Sequence, residues 1–304
     1  MTQDSYFPII YVRGYAMTQK EMDDTTADPF CGFNLGSTVY RAIGAKDAPA
    51  RKFVFESPLV RLMAEFGYTD VFDGGQDLVD SPETGSIPKR SVIIYHYYEE
   101  ASRLLGRGET PAIEHFAEGL SRLVARIRQL VCNKTDNDLT HQDFRCHLVA
   151  HSMGGLVCRA FLQNPACDPE MTRACVDKVF TYATPHNGIE MAGRNVPQWL
   201  NLNDMNNFNQ ERMAGYLNLA AAYSYPGREK RVDWLPASAL SPDRFFCLVG
   251  TNRGDYEVAM GFSRTFAGHG SDGLVRVENA SVWGCDNTGK VTRPCPTAYV
   301  FRSH

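Results

Sequence analysis

The sequence predicts an α/β protein in which a mostly parallel β-sheet is covered by helices. Short apolar runs rich in β-branched residues alternate with longer segments of helical spacing, and a repeated β-α-β order of this kind favours parallel strands. The chain has 304 residues, of which 43% are hydrophobic and 22% are charged, so it can bury a large core. These proportions exclude a wholly disordered or fibrous protein.

The first half of the chain contains two predicted strands and one long predicted helix. Residues 7–12 (FPIIYV) and 91–97 (SVIIYHY) are apolar runs of the length expected for buried strands. A helix is predicted to begin at Thr110, a capping residue followed by Pro111, and to continue through Val131.

The second half continues the alternation. Residues 146–150 form a predicted strand, and a helix is predicted from Met153 to Gln163. Residues 178–183 and 245–250 are two further predicted strands, and the run Ala298–Phe301 is the predicted last strand.

Two stretches depart from the simple repeat. Residues 18–90 are polar and rich in turns, with one helix predicted near residues 57–66. Residues 187–242 carry an apolar stripe at roughly helical spacing, which fits either a helix packed on the core or a helical cap over a site. Because no linker or repeat divides the chain, we expect a single domain over residues 1–304 with a helical cap insertion at 187–242.

Charge and cysteine usage restrict the partners and the compartment. The 31 Lys and Arg residues against 35 Asp and Glu residues give a net charge of −4, which argues against a nucleic-acid binder. The N-terminus lacks the features of a signal peptide, and no apolar run reaches the ~18 residues of a membrane span. The nine cysteines are scattered, which favours free thiols and a cytoplasmic protein, with a Cys285–Cys295 bridge as the local alternative.

The most informative segment places a serine between a predicted strand and a predicted helix. In the run HLVAHSMGGLV, Ser152 stands at the turn, with Ala150 two residues before it and Gly154 two residues after it. A sharp strand-to-helix turn brings backbones close together, so these two positions require small residues. The turn exposes the hydroxyl, and the helix N-terminus beside it favours developing negative charge. Ser152 is therefore the predicted nucleophile.

Three segments resemble known enzymes. Ala-His-Ser-Met-Gly-Gly at 150–155 resembles the nucleophile elbow of α/β-hydrolase lipases and esterases. Thr-Pro-His-Asn-Gly at 184–188 is similar to a turn of lipases and inositol-deacylase-like hydrolases, and Ser-Asp-Gly-Leu-Val at 271–275 resembles the acid-bearing loop of bacterial lipases. The resemblance implies an α/β-hydrolase fold and a serine ester hydrolase.

The superfamily order of nucleophile, acid and histidine favours Asp272 and His304 as the partners of Ser152. Asp272 lies in the segment that resembles the acid loop. His304 follows the predicted last strand, where the family places its catalytic histidine.

Two other histidines lie downstream of the serine. His186 belongs to the Thr-Pro-His-Asn-Gly turn, where the family usually has a structural residue. His269 precedes Asp272, so it could serve only if the acid were Asp255 or Asp243.

The oxyanion hole requires two backbone donors. One is predicted to be the N–H of Met153, directly after the nucleophile. By resemblance to lipases with a His-Gly pair after the first strand, the second maps to the N–H of Tyr15. Arg13 stands here in place of that histidine, which is a departure from the family pattern.

These observations predict a serine carboxylic-ester hydrolase of lipase, phospholipase or esterase type. The expected partner is a small-molecule ester or a lipid, with contact to a lipid surface through the cap, and no cofactor or metal is assigned. An acyltransferase with the same nucleophile and a non-catalytic lipid- or partner-binding protein are the alternatives. In the superfamily that the sequence resembles, the fold normally continues past its histidine loop with a helix. Either the chain is truncated after His304, which we expect, or the last helix is absent.

Overall fold

The computed structural model describes most of the predicted elements. It covers residues 6–14, 38–42, 50–54, 58–73, 76–77, 79, 85–95, 97, 112–191, 194–195, 205–225, 229–250, 277–286 and 289–300. The strands in chain order are β1 Ile9–Val12, β2 Thr38–Ala42, β3 Ala50–Val54, β4 Thr69–Asp70, β5 Phe72–Asp73, β6 Gln76–Asp77, β7 Ser91–Tyr95, β8 Cys146–His151, β9 Val176–Tyr182, β10 Glu190–Met191, β11 Arg194–Asn195, β12 Trp234–Pro236, β13 Phe245–Gly250, β14 Trp283–Cys285, β15 Val291–Pro294 and β16 Thr297–Val300. The α-helices are α1 Pro58–Phe66, α2 Ile113–Cys132, α3 Met153–Gln163, α4 Gln210–Tyr216 and α5 Ala220–Tyr223.

A seven-stranded sheet forms the centre of the fold. Its strands lie in the order β16-β13-β9-β8-β1-β7-β4, and all six pairings between neighbours are parallel. The predicted parallel sheet is therefore confirmed. Because the strands are parallel, their carboxyl ends meet along one edge, where α/β proteins usually place their sites.

Helices pack on both faces of the sheet because consecutive strand residues point to opposite sides. In β1, Ile10 and Val12 belong to the large core that includes α2 and α3. Ile9 and Tyr11 face the other side, where they pack with Leu59 of α1. All four residues of β1 are buried, as expected for a central strand covered on both faces.

The apolar stripe of residues 187–242 is described in part, and that part packs on the core. Met213, Tyr216 and Leu217 are buried within the large core. Gln163 Nε2 and Asn164 Nδ2 at the end of α3 donate to the carbonyls of Leu217 and Tyr216, each at 3.2 Å. A cap role for residues 187–242 remains a prediction.

Several boundaries and short elements differ from the sequence-based expectation. Helix α2 begins at Ile113 and the backbone of Ala112 is extended, so the prediction that this helix begins at Thr110 was wrong. The hairpin β2–β3 and the small sheet β12-β14-β15 were not predicted. Strand β15 is exposed at every residue and lacks the alternation that reveals a half-buried strand.

The eight cysteines within the described ranges are all free thiols, and they include Cys285 and Cys295. The prediction of free thiols holds for these eight, and the alternative Cys285–Cys295 bridge is not formed. In the same part of the chain, no helix combines the length and apolarity needed to cross a membrane.

Buried Asn137 connects the entrance of β7 to the end of α2. Its Nδ2 donates to the carbonyls of Ile87 at 2.9 Å and Val131 at 2.7 Å, and its Oδ1 accepts from the Lys89 N–H at 3.0 Å. We expect Asn137→Ala to lower the free energy of unfolding by about 2–4 kcal/mol, because buried backbone groups lose their partners. The matched change at exposed Asn133 is expected to stay within about 0.5 kcal/mol in urea unfolding. Equal effects at both positions would contradict this assignment.

Candidate active site

Ser152 occupies a strained turn between β8 and α3. Its φ of 52° and ψ of −128° lie in a region that residues with a side chain rarely adopt. The turn is held by the Ser152 N–H, which donates to the Tyr182 carbonyl at 3.0 Å, and by the Ser152 carbonyl, which accepts from the Gly155 N–H at 3.0 Å. The Ser152 side chain makes no capping hydrogen bond to α3. This strand–turn–helix geometry resembles that of a nucleophile elbow.

Close backbone contacts surround the turn. A Cβ placed on Gly154 would collide with the carbonyl oxygen of Val12 and lie 2.6 Å from that of Arg13. A Cβ on Gly155 would overlap the side chain of Thr184, and one on Gly14 would lie 2.6 Å from the Ser152 Cβ. The predicted need for small residues is thus explained by the approach of three chain segments: the end of β1, the start of α3 and the turn after β9.

One predicted oxyanion donor is described and the other is not. Met153 is the first residue of α3, so its N–H has no acceptor inside the helix. Among the described residues, this N–H donates no hydrogen bond. The helix N-terminus adds partial positive charge at this point. Tyr15 lies outside the described residues, whereas Gly14, the residue before it, contacts the elbow.

Asp272 and His304 also lie outside the described residues. The strands that precede them are described. Strand β13 ends at Gly250 and β16 ends at Val300, and both run parallel to β8 through the order β16-β13-β9-β8. The chain therefore leaves both strands at the edge of the sheet where Ser152 lies.

His186 is buried in the turn after β9. Its Nε2 lies 3.0 Å from Thr181 Oγ1, and its Nδ1 has no hydrogen-bond partner in the described ranges. Neither ring nitrogen is bonded to Ser152. Burial, with a smaller contribution from the charge of Arg159, lowers the pKa of His186 well below its usual value. These contacts fit a structural residue rather than a catalytic base.

In the alternative pairing, His269 would act with Asp243 or Asp255 as the acid, and the position of Asp243 argues against it. Asp243 lies in the short helical turn directly before β13, at the opposite end of that strand from the edge with Ser152. Its carboxylate is exposed and pairs with Arg293 at 3.0 Å. Asp255 and His269 lie outside the described residues.

Arg159 is a fully buried cation in α3 that sequence reasoning missed. Its guanidinium donates to the carbonyls of His186 at 2.9 Å, Val232 at 2.7 Å and Trp234 at 2.8 Å. A fourth bond goes to Gln163 Oε1 at 2.9 Å. The bonds join α3 to the turn after β9 and to residues 232–234. Its only sequence signal is an arginine within an apolar helical run.

Asn187 is a second buried residue whose structural role was not predicted from the sequence. Its Oδ1 accepts from the Val232 N–H at 2.9 Å, and its Nδ2 donates to Asn279 Oδ1 at 3.1 Å. Gln210 of α4 donates to the Asn187 carbonyl at 3.0 Å. This residue therefore connects the turn after β9 with α4 and with the segment that follows residue 276.

His151 lies directly before Ser152 at the end of β8. Burial, and then the charge of Arg13, lower the pKa of His151 to about 4. It is therefore neutral at physiological pH.

Within the described ranges, no group of three or more His, Cys, Asp or Glu side chains is placed to hold a metal ion.

Comparison with known proteins gives one family match and several structural matches. Residues 92–229 match the family model of palmitoyl protein thioesterase. No curated protein matches the chain.

The structural matches are distant. The lipase BlEst2 of Bacillus licheniformis in its mature form is 15% identical, with a TM-score of 0.40 over 91% of this chain and 80% of that chain. The lin2722 gene product of Listeria innocua is 13% identical, with a TM-score of 0.33 over 91% and 77%. Phospholipase PlaB of Legionella pneumophila is 12% identical, with a TM-score of 0.43 over 97% and 51%.

The parallel sheet, the turn at Ser152 and the family match all point to the same part of the chain. The matched span of residues 92–229 contains β8, Ser152 and α3. The parallel sheet with helices on both faces has the architecture of an α/β-hydrolase fold, as the sequence predicts, and the family match is consistent with the resemblance to lipases and esterases. The match also supports a hydrolase of ester bonds in the broad sense.

Gly154→Ala tests the close approach at the elbow. The new Cβ would collide with two carbonyl oxygens at the end of β1, so we expect a loss of about 1–3 kcal/mol in the free energy of unfolding. Gly215 in α4 is a matched control, because its Cβ would meet nothing within 4 Å. There we expect Gly215→Ala to be neutral or to stabilise by up to about 1 kcal/mol. Similar destabilisation at both glycines in chemical denaturation would refute the packing argument.

Acidification is expected to destabilise the protein through His151. The unfolded chain takes up a proton below pH ~6.5, whereas the folded side chain does so only near pH 4. The free energy of unfolding should therefore decrease as the pH falls from ~6.5 towards 4. In urea unfolding at pH 7 and pH 4.5, His151→Gln should lose less stability than the wild type. An identical loss in both proteins would contradict the assignment.

Proposed function

We propose that this protein is a serine hydrolase that cleaves acyl ester or thioester bonds through an acyl-enzyme on Ser152. The observation that carries the proposal is the strained conformation of Ser152 at φ 52°, which turns a serine between β8 and α3 into an elbow. A structural serine gains nothing from such strain, whereas a nucleophile gains exposure and proximity to the N-terminus of a helix.

We assign the base to His304 and the acid to Asp272. The order β16-β13-β9-β8 separates the ends of β16 and β8 by three strand spacings, or about 14 Å. His304 is four residues beyond Val300, and four extended residues span about 14 Å. The chain is thus long enough to bring an imidazole to Ser152. Asp272 follows β13, the neighbour of β16, which supports its pairing with His304.

The reaction then proceeds in two halves. His304 takes the proton of Ser152 Oγ as the oxygen attacks the acyl carbon, and the resulting oxyanion is stabilised by the N–H groups of Met153 and Tyr15. Collapse of this intermediate breaks the bond to the alcohol or thiol, which leaves with the proton from His304. Water then attacks the acyl-enzyme with His304 as base, and the carboxylic acid is released. Asp272 orients the imidazole and stabilises its cation.

The proposed substrate is a long-chain acyl ester or thioester. The family match supports this class, because palmitoyl protein thioesterases are named for a palmitoyl thioester. The net charge of −4 and the absence of basic runs also suit an uncharged acyl chain better than a polyanion.

The triad assignment is tested by paired substitutions assayed on p-nitrophenyl esters and on a palmitoyl thioester. We expect Ser152→Ala, Asp272→Asn and His304→Gln each to lower kcat by about a thousandfold or more, because each removes a member of one catalytic unit. The matched controls His269→Gln and Asp255→Asn should keep kcat within about threefold of the wild type.

The controls decide between the two pairings. If His269→Gln abolished turnover while His304→Gln did not, the assignment of His304 would be wrong. If Ser152→Ala retained wild-type turnover on both substrates, the proposed function itself would fail.

A further inference from the structure

The chain leaves β1 through Arg13 and Gly14, and Gly14 lies directly against Ser152. Gly14 must lack a side chain, because a Cβ there would lie 2.6 Å from the Ser152 Cβ. Glycine, however, is the residue whose backbone rotates most freely. The loop that should present an oxyanion donor therefore begins at a residue whose own backbone dihedrals are weakly restricted. A donor stabilises a transition state only if it is held in place beforehand.

Tyr97 holds the peptide group that leads into this glycine. Its hydroxyl donates a hydrogen bond to the Arg13 carbonyl, although the two residues are 84 positions apart in the chain. The side chain is 1% exposed. Its ring packs against Phe116 of α2 with the centroids 4.7 Å apart, and against Tyr95 at 5.4 Å. A buried phenol held by two rings is a rigid donor, since it has few rotamers available.

The Arg13 carbonyl is also packed against the nucleophile helix. It lies so close to Gly154 that a Cβ there would approach it to 2.6 Å. The peptide that joins Arg13 to Gly14 is planar, so fixing its carbonyl also fixes the position of the Gly14 Cα beside Ser152.

We propose that Tyr97 is a positioning residue of the oxyanion hole, which it orders through the Arg13 carbonyl without touching the substrate. This inference rests on the proposed function, because it requires an oxyanion to be stabilised at Ser152. Tyr97, which follows β7 and is distant from Ser152 in the sequence, would then be one of the residues that determine kcat.

Tyr95 provides a matched control. Its hydroxyl also donates to a backbone carbonyl, that of Phe116 at 2.9 Å, and its ring contacts Tyr97. The Phe116 carbonyl belongs to α2 and not to the loop after β1. Tyr95→Phe and Tyr97→Phe therefore remove the same chemical group and the same type of bond. Among the described residues, the bond lost in Tyr97→Phe is to Arg13 at the start of the loop, whereas the bond lost in Tyr95→Phe is to α2.

The experiment measures kcat, KM and inhibition by a long-chain trifluoromethyl ketone, which forms a tetrahedral adduct with a serine nucleophile. For Tyr97→Phe we expect kcat to fall about tenfold to a hundredfold, because a displaced donor weakens transition-state stabilisation. The KM should change by less than about twofold, because the ground-state carbonyl depends little on this donor. The Ki of the ketone should rise by a factor similar to the fall in kcat.

A second variant covers the case in which Tyr97→Phe folds poorly. Tyr97→4-aminophenylalanine keeps a donor at the same ring position, and we expect its kcat to lie between those of the wild type and Tyr97→Phe. Tyr95→Phe should keep kcat within about twofold of the wild type and leave the ketone Ki unchanged.

The inference is overturned if kcat and the ketone Ki of both Tyr97 variants match the wild type. It is also overturned if Tyr95→Phe lowers kcat as much as Tyr97→Phe, since the effect would then come from general packing. Ser152→Ala, assayed in parallel, separates the two claims: turnover that persists in this variant defeats the proposed function, whereas turnover lost there but unchanged in the Tyr97 variants defeats only the role of Tyr97.

Discussion

The site depends on one backbone constraint, the positive φ of Ser152 at the junction of β8 and α3. A residue with a side chain in such a conformation costs about 1–3 kcal/mol, and it persists only where the surroundings leave the chain no alternative. Here the end of β1 packs under Gly154, and the Thr184 side chain packs against Gly155. The Ser152 N–H is also fixed by the Tyr182 carbonyl at 3.0 Å. Three segments distant in sequence thus hold the serine in its turn.

The parallel sheet determines which other residues can reach the serine. The sheet strands β8, β9, β13 and β16 are parallel, so all four end at the edge of the sheet where Ser152 lies. By the same geometry, Asp243 before β13 emerges at the opposite edge. The turn after β9 lies at the edge with Ser152, where buried Arg159 and Asn187 anchor it. Arg159 thus connects α3 to the turn after β9 through a backbone carbonyl.

The sequence predicted the elements whose signal is local and missed those whose signal is not. Helix α3 was predicted at its observed bounds, because the small residues around Ser152 and the apolar spacing after it occur within one short segment. Strand β15 was missed because all four of its residues are exposed. The roles of Arg159 and Tyr97 could not be predicted, because both side chains bond to carbonyls far along the chain and leave no periodic pattern. Proposals for Asp272 and His304 depend on strand order and family resemblance.

The most direct measurement of the central claim is the chemical identity of the reaction intermediate. The protein is mixed with a palmitoyl thioester, quenched in acid within milliseconds and digested, and the peptides are analysed by mass spectrometry. The account predicts a palmitoyl group on the hydroxyl of Ser152 that disappears as the substrate is consumed, and none on the Ser152→Ala protein. An acyl group on another residue, or turnover with no covalent acyl group under conditions where deacylation is slowed, would contradict it.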